Sequence, residues 1–526
     1  MANSDGEKQS QTPPNSEATA EEDREENDVV EEDENEDEDE EEPEPPQKQH
    51  KSRESLLNEH KSRMENLFRR MQRERVNLRV HDVIIKGNTK TKDSIIEAEL
   101  EALKNASTMQ ELLDAAGRTN ARLQQLEIFD SVKITLDKGP PELPDTANVI
   151  VEVVETSSTF TAECGAYSRP AARSWTAEGT LKYKNWLGYG DLWDGSVAYG
   201  PNQTSEVSAG VFLPRVRGLS TPVLARASLL SQDWQEFSSY KERSLGFSIN
   251  LLSTKYHDLA YNLGWRTLTD PSQMSSRAVR RQLGHSLLSS LKYTFTIDRR
   301  DSSMRPTKGH AFVSTTQIGG LAPDHRSLRF LRQEFDLRYA IPFGFYRAAL
   351  NFGIAGGVLF PWGQGFLDKP SPLPERFFLG GDFSPVCSLA GPTSMYGFKT
   401  RGLGPSEPRR QNRENSDGPG RDYLGGDLAV TAFADLSFDL PVKWLRELGV
   451  HGHIFAGAGN LSKLTENEFR NFSPQKFLES FRISVGGGVV VPTKLFRLEA
   501  NYYYLLKQHE HDRGKTGFRF SFSPRF

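Results

Sequence analysis

The last thirteen residues, Gly514 to Phe526, read Gly-Lys-Thr-Gly-Phe-Arg-Phe-Ser-Phe-Ser-Pro-Arg-Phe. Phe518, Phe520 and Phe522 alternate with Arg519, Ser521 and Ser523. In an extended strand that period of two sends the aromatics to one face and the polar groups to the other. A flat aromatic edge at the end of a chain invites aggregation unless another strand covers it. The arrangement is self-consistent if this strand pairs with the first strand of its own sheet and closes a barrel, phenylalanines in lipid and polar groups in the lumen.

The same texture begins at Ser158, where glycine and aromatics become frequent and helical periodicity disappears. Leu245, Phe247, Ile249 and Leu251 alternate with Ser244, Gly246, Ser248 and Asn250, and Leu498, Ala500, Tyr502 and Tyr504 with Arg497, Glu499, Asn501 and Tyr503. Leu291, Tyr293, Phe295 and Ile297, and Leu436, Phe438 and Leu440, repeat the pattern. Strand starts fall near Thr159, Arg173, Gly190, Thr204, Pro222, Tyr240, His257, Ser286, Gly309, Arg329, Tyr346, Asp427, Val450, Phe481, Leu495 and Lys515, about sixteen in all. Soluble sandwiches also alternate, but strands near ten residues suit a tilted membrane crossing better than short Greek-key strands do. Mean hydropathy is -0.59 and no run of 18 uncharged apolar residues occurs, which excludes membrane helices. A membrane barrel survives that test because half of each strand is polar.

Upstream, the chain changes character twice. Residues 1–47 are expected to be a disordered acidic tail: over Met1–His50 there are 21 Asp/Glu against 3 Lys/Arg, a balance of -18, and the remainder carries +12. The tail is either a solvating segment or a docking site for basic targeting segments. Residues 48–77 read as a basic helical linker, with Leu57, Met64, Leu67, Phe68 and Met71 at helical spacing. No secretory signal is visible, and two cysteines, Cys164 and Cys387, make no disulfide framework, so synthesis in the cytosol is expected.

Residues 78–156 read as one small α+β domain of order β-α-α-β-β. Val80–Lys86 is the first strand, Thr91 or Asp93 caps one helix, Thr108 with Glu111 forms a capping box for the next, and Ser131–Asp137 and Val149–Glu155 are the last two strands. Leu123, Phe129 and Val132 then stand in a spacing that resembles the POTRA modules of outer-membrane insertases. A sheet edge in such a module can bind an extended chain by strand addition.

Residues 158–526 form the expected transmembrane β-barrel, interrupted by one long connection, 361–426, that lacks regular periodicity. Loops beyond ~15 residues are usually functional or disordered. This one holds Gly391-Pro-Thr-Ser-Met395-Tyr396-Gly397-Phe398, and Gln411–Gly420 reads as a flexible insert within it. POTRA followed by a barrel with one long late loop resembles the insertase superfamily that includes BamA and the chloroplast Toc channel. One POTRA and about sixteen strands resemble its mitochondrial branch, the barrel subunits of the sorting and assembly machinery. That resemblance implies insertion of β-barrel precursors into the mitochondrial outer membrane through a lateral gate between first and last strands. It implies unfolded precursors, lipid and accessory subunits as partners, and no enzyme activity, cofactor, metal or nucleic acid. The alternative within the superfamily is a protein-conducting or solute channel of the chloroplast outer envelope.

The resemblance also implies a loop motif, Arg-Gly-Phe, whose arginine reaches acids in the barrel wall. Here Met395-Tyr396-Gly397-Phe398 matches at Gly397 and Phe398 but has Tyr396 for the arginine, and the wall positions are Ser437 and Gly457. Losing both partners of a buried pair can be nearly neutral where losing one is costly. Tyr396 is therefore expected to hold the loop by packing and hydrogen bonding, with Lys399, Arg401 or Asp435 in support. Lys515, Gly517, Phe520 and Phe522 match the terminal signal of mitochondrial barrel precursors. His509-Glu-His-Asp512 reads as a polar loop, and His451 and His453 as lumen-lining residues.

Overall fold

The computed structural model describes residues 77–524 apart from 144–145, 169–174, 201–203, 217–220, 253, 323–327, 364–367, 382–383, 388, 390, 411–419, 467 and 494–495. The expected acidic tail, nearly all of the basic linker and the body of the 411–420 insert lie outside the described residues.

The small domain comprises β1 (Arg79–Lys86), α1 (Asp93–Lys104), α2 (Met109–Gln125), β2 (Phe129–Lys138) and β3 (Thr146–Glu155). Its sheet runs β1-β3-β2, with β1 parallel and β2 antiparallel to the central β3. Ile96, Leu100 and Leu103 of α1, and Leu112, Ala115 and Leu123 of α2, recur every three to four residues and so share one face. They pack on Val149, Val151 and Val153 of β3, which recur every second residue, and Leu123, Phe129 and Val132 all belong to this core.

Thr108 caps α2 as its spacing requires, its hydroxyl accepting the Glu111 amide at 3.2 Å. The Glu111 carboxylate returns to the amide and hydroxyl of Ser107, at 3.1 and 2.8 Å, one residue earlier than in the expected box. The cap expected for α1 is corrected. Its N-cap is Lys92, which makes no side-chain cap, because the Thr91 hydroxyl accepts from Asn185 at 2.8 Å and Asp93 already lies in the first turn.

The barrel strands are β4 (Phe160–Ser168), β5 (Trp175–Lys184), β6 (Leu192–Tyr199), β7 (Ser205–Leu213), β8 (Val223–Asp233), β9 (Lys241–Leu252), β10 (His257–Thr269), β11 (Gly284–Asp298), β12 (Gly309–Gly319), β13 (Phe330–Pro342) and β14 (Ala349–Pro361). Among its described residues the long connection contributes a short hairpin, β15 (Ser406–Pro408) with β16 (Arg421–Tyr423), and one turn of 3-10 helix, Leu373–Glu375. Then come β17 (Leu428–Asp439), β18 (His451–Ser462), β19 (Arg482–Pro492), β20 (Phe496–Lys507) and β21 (Gly517–Pro524). Leaving out the loop hairpin, these strands form one sixteen-stranded antiparallel sheet in sequence order.

Its outward positions are apolar and bare: Leu245 is 60% exposed, Ile454 57% and Phe520 74%. The same band carries Leu331, Phe335, Leu337, Tyr339 and Ile341 along β13. Soluble monomers rarely expose a contiguous apolar surface of that extent; lipid covers it. No described helix is long and apolar enough to cross a membrane.

One expectation is only half met. β21 and β4 are the two ends of the sheet and lie side by side, but no backbone ladder joins them among the described residues. Both are short, 8 and 9 residues, but β6 and β7 have the same lengths and are laddered to each other throughout, so length alone does not leave this seam unpaired.

Candidate functional site

The seam sets an unladdered strand edge against lipid. On its inner edge β21 pairs with β20 from Tyr503↔Gly517 to Phe496↔Pro524. Phe518 and Phe520 point outward, 84% and 74% exposed, and Phe518 meets Tyr502 edge-on at 4.9 Å. The Phe522 side chain lies outside the described residues. Gly517 opens the strand at φ +145, a conformation that L side chains rarely adopt, and nothing crowds its Cα; the backbone, not space, calls for glycine there. Across the seam Phe160 is also exposed, at 55%.

Behind the seam stands the long connection, folded into the lumen. Phe377, Leu379, Met395, Phe398 and Leu403 pack on the inward residues Phe330, Leu359, Ala429 and Leu461 of the wall. The connection meets the turn before β21 through its backbone. Phe398 bridges Gly514, the Lys515 amide donates to the Gly397 carbonyl at 3.1 Å, and the Lys399 amide donates to the Arg513 carbonyl at 2.9 Å. Arg519 of β21 donates to the Phe398 carbonyl at 3.5 Å. Gly397 takes φ +84, and a Cβ on it would sit 2.8 Å from Leu505. The tetrad Met395–Phe398 and the segment Lys515–Phe520 therefore meet in space.

Tyr396 is buried at 2% exposure, its ring 4.1 Å from Phe455 and 5.9 Å from Tyr503. Its hydroxyl shares a hydrogen bond of 3.0 Å with Ser384 of the same connection. Ser437, at one expected acid position, donates to the Ala349 carbonyl instead, and Gly457, at the other, faces Ser484. Beneath Tyr396 runs a chain of buried polar groups. Asp435 of β17 bonds His453 Nδ1 at 2.6 Å, and His453 Nε2 bonds Asn501 Oδ1 at 2.7 Å. Asn501 donates to Glu499 at 2.8 Å, and Arg497 donates to Glu499 at 2.7 Å. Ser521 of β21 donates to the same carboxylate at 3.3 Å. Glu499 thus ties the closing strand to the wall.

Of the residues expected in support, Asp435 bonds His453 in this chain, whereas the Tyr396 hydroxyl bonds Ser384. Arg401 works elsewhere: its guanidinium stacks on Trp234 at 3.5 Å and Phe378 at 3.9 Å and donates to Tyr240, tying the connection to the β8–β9 turn. Sequence reasoning placed Arg497, Glu499 and Asn501 on the lumen face but missed Ser384 as a partner. It also missed Glu375, which takes Arg266 at 3.0 Å and Arg332 at 3.6 Å from the wall. A charged residue in a Pro-rich loop, Pro372-Leu-Pro-Glu375, was the available signal. In the His509–Asp512 turn, Asp512 accepts from Arg482 at 2.9 Å and from the His509 amide at 2.8 Å.

The small domain docks on the β5–β6 turn, one strand from the seam. Besides Asn185 to Thr91, the Lys92 amide donates to the Gly188 carbonyl at 2.9 Å, and the Lys92 ammonium lies 3.5 Å from the Tyr189 ring centre. Arg215, between β7 and β8, pairs with Glu99 at 2.8 Å. Glu155, the last residue of β3, gathers the Thr89 hydroxyl at 2.6 Å and the Lys90 and Thr91 amides at 3.1 and 2.7 Å. Partial desolvation raises its carboxyl pKa, but those hydrogen bonds outweigh it and bring the value down to about 2.

Comparison with known proteins gives a consistent assignment of both parts. Residues 185–526 match the Omp85 superfamily domain, and residues 78–156 match POTRA, described as a surface antigen variable number repeat. The chain is similar to the mouse protein named Sorting and assembly machinery component 50 homolog, 29% identical over 462 residues that span 85% of this chain and 90% of that one. It is 27% identical over 459 residues to a SAM50-like protein of Schizosaccharomyces pombe, spanning 84% and 89%. Among solved structures it resembles BamA from Haemophilus ducreyi lacking POTRA domains 1-3, with a TM-score of 0.68 at 16% identity over 85% of this chain and 84% of that one, a likeness of fold.

Proposed function

The chain belongs to the Omp85 superfamily, and from that premise we propose that it is an insertase that folds β-barrel precursors into the mitochondrial outer membrane, as the names of its sorting and assembly machinery relatives indicate. The observation that carries the mechanism is the seam: among the described residues β4 and β21 adjoin without a ladder. An unfolded strand in hydrocarbon exposes amides and carbonyls that cost several kcal/mol each. The outer edge of β21 offers a precursor strand temporary partners by β-augmentation, and β4 can receive the precursor's other edge. The event is an exchange of hydrogen bonds and needs no covalent step. Lys515, Gly517, Phe520 and Phe522 serve first in this protein's own insertion and later as the templating strand. The Met395–Phe398 tetrad backs that strand from within. The small domain offers the β1 and β2 edges to arriving precursors, and accessory subunits of the assembly complex are the remaining partners.

The envelope-channel alternative needs an open lumen, and the packing of Phe377, Leu379 and Phe398 across it argues against that reading. Depletion of the protein tests the assignment. Assembled porin is expected to fall before import of matrix proteins does; loss of general import first, with porin assembly intact, would overturn it.

A further inference from the structure

At the end of the barrel where the small domain enters, the β13–β14 turn has an unusual construction. Pro342 pairs with Ala349, the Phe343 amide donates to the Ala348 carbonyl at 2.6 Å, and the Ala348 amide donates to the Phe345 carbonyl at 2.8 Å. That last bond encloses Tyr346 at φ 46 and Arg347 at φ 44. A type I′ turn of this kind ordinarily takes Asn-Gly, because two consecutive left-handed residues strain an L side chain. Here the strained positions carry a tyrosine and an arginine, both exposed. Strain retained where glycine would relieve it marks side chains kept for use.

The neighbouring β17–β18 connection completes the surface. The Asp439 amide donates to the Tyr346 carbonyl at 2.9 Å, and Arg305 donates to the Arg347 carbonyl at 3.3 Å, so the turn is fixed against its neighbours. The short helix Lys443–Glu447 follows, with Trp444 61% exposed and Leu448 just beyond it at 63%. Tyr346, Arg347, Asp439, Arg446 and Glu447 line an open groove of about 570 Å³. Asp439 is taken by Arg305 at 2.7 Å, which leaves Glu447 as the groove's other acid beside Arg347 and Arg446, with Lys443 exposed on the same short helix.

The position of the patch identifies what covers it. The outward apolar residues of β13 run from Leu331 to Ile341. At a rise of ~3.4 Å per residue and a tilt of ~40°, those ten steps climb roughly 26 Å, the height of a barrel's lipid-facing band. Phe343, Phe345 and Tyr346 therefore stand just past the hydrocarbon, at headgroup level. Exposed aromatics with basic residues between them suit that layer, rings among acyl-chain ends and cations on phosphates.

We propose that the β13–β14 turn and the Lys443–Glu447 helix form a headgroup site for an anionic phospholipid in the leaflet on the small domain's side, with Arg347, Lys443 and Arg446 holding the headgroup and Trp444 and Phe345 seated in the lipid. By strand order this site lies three to six strands from β21, away from the seam. It anchors the barrel's height and tilt there while the seam side moves.

The test uses the full chain in nanodiscs of phosphatidylcholine with a minority of phosphatidylglycerol, one lipid at a time carrying brominated acyl chains. The chain has seven tryptophans, so the Trp444 signal is the difference between the wild type and Trp444→Phe. Brominated phosphatidylglycerol is expected to quench Trp444 as if enriched about five-fold over its share of the bilayer, the equivalent of one cation–headgroup contact. The triple change Arg347→Gln, Lys443→Gln, Arg446→Gln is expected to return quenching to that share while Trp444 stays lipid-accessible. Two results overturn the proposal, and both are read in the wild type, independently of how the variants fold. One is no quenching of Trp444 by either lipid, which places the patch in water or under a protein partner. The other is quenching by each lipid only in proportion to its abundance.

Discussion

The wall from β17 to β20 and the seam between β21 and β4 are built from the same alternating pattern, and they differ in what stands behind it. At the wall, strands of 11 or 12 residues are laddered on both sides, and Asp435, His453, Asn501, Glu499 and Arg497 form one buried polar chain. At the seam, strands of 8 and 9 residues adjoin without a ladder among the described residues, and Phe518 and Phe520 stand 84% and 74% exposed. Glu499 joins the two regions, accepting from Arg497 and Asn501 of the wall and from Ser521 of the closing strand. The rigid wall keeps the inner edge of β21 paired while its outer edge stays available. Alternation specifies a sheet, and strand length does not mark the seam, since β6 and β7 are as short as β21 and β4 and are fully paired; what sets β21 apart is the loop docked behind it.

The largest effect should come from breaking the wall. Glu499→Leu leaves Arg497 and Asn501 buried without their acceptor and is expected to destabilise the barrel by ~3–5 kcal/mol. Phe520→Leu at the seam, an apolar exchange facing lipid, should leave denaturation of the detergent-solubilised barrel within ~0.5 kcal/mol of wild type. Comparable losses for the two would erase the contrast between wall and seam.

Tyr396→Arg places a longer, charged side chain against Phe455 and Tyr503, where Ser437 and Gly457 stand at the expected acid positions. A loss of about 2 kcal/mol is expected from overpacking and an ill-matched charge. Adding Ser437→Asp should recover part of it. Unchanged stability and precursor insertion in Tyr396→Arg alone would show that the tyrosine does not hold the loop.

At the seam, Gly517→Ala forces a side chain to φ +145 and should cost ~1–3 kcal/mol. The cost should appear as slower assembly of the protein itself into membranes, measured by acquisition of protease resistance. Ordinary assembly kinetics would mean that the strand can begin in another conformation.

A pH-dependent effect sits at the joint with the small domain. The Glu155 carboxyl titrates at about 2 in the folded chain against an ordinary 4.5, so its stabilising effect is complete above the ordinary value and is lost as pH falls from about 4.5 through about 2. The melting difference between wild type and Glu155→Gln should therefore be constant above about pH 5 and shrink below it. A difference that grows on acidification would contradict the assigned bonds.

The sequence carried the strands because each outward face is a local, period-two property: the expected starts at His257 and Gly309 coincide with those observed, and most others fall within two or three residues. It carried the capping of α2 by Thr108 for the same reason. It misplaced the cap of α1 because Thr91 serves a partner in the barrel, Asn185, nearly a hundred residues away. In the candidate site the polar face of β20 was readable, whereas the partners Asp435, His453 and Ser384 come from other strands and from a loop with no period to read. The missing ladder at the seam was also beyond sequence, since Gly517–Pro524 has the alternation of a fully paired strand.

Whether the seam parts can be measured directly. Phe160 and Phe520 are replaced by cysteine, the exposed Cys164 by serine, and crosslinking across the seam is followed with and without an arrested β-barrel precursor. The account predicts that the two cysteines crosslink to each other in the resting protein, and that the precursor replaces this product with crosslinks of each cysteine to itself. A link between residues 160 and 520 that persists while precursors insert at the normal rate would contradict it.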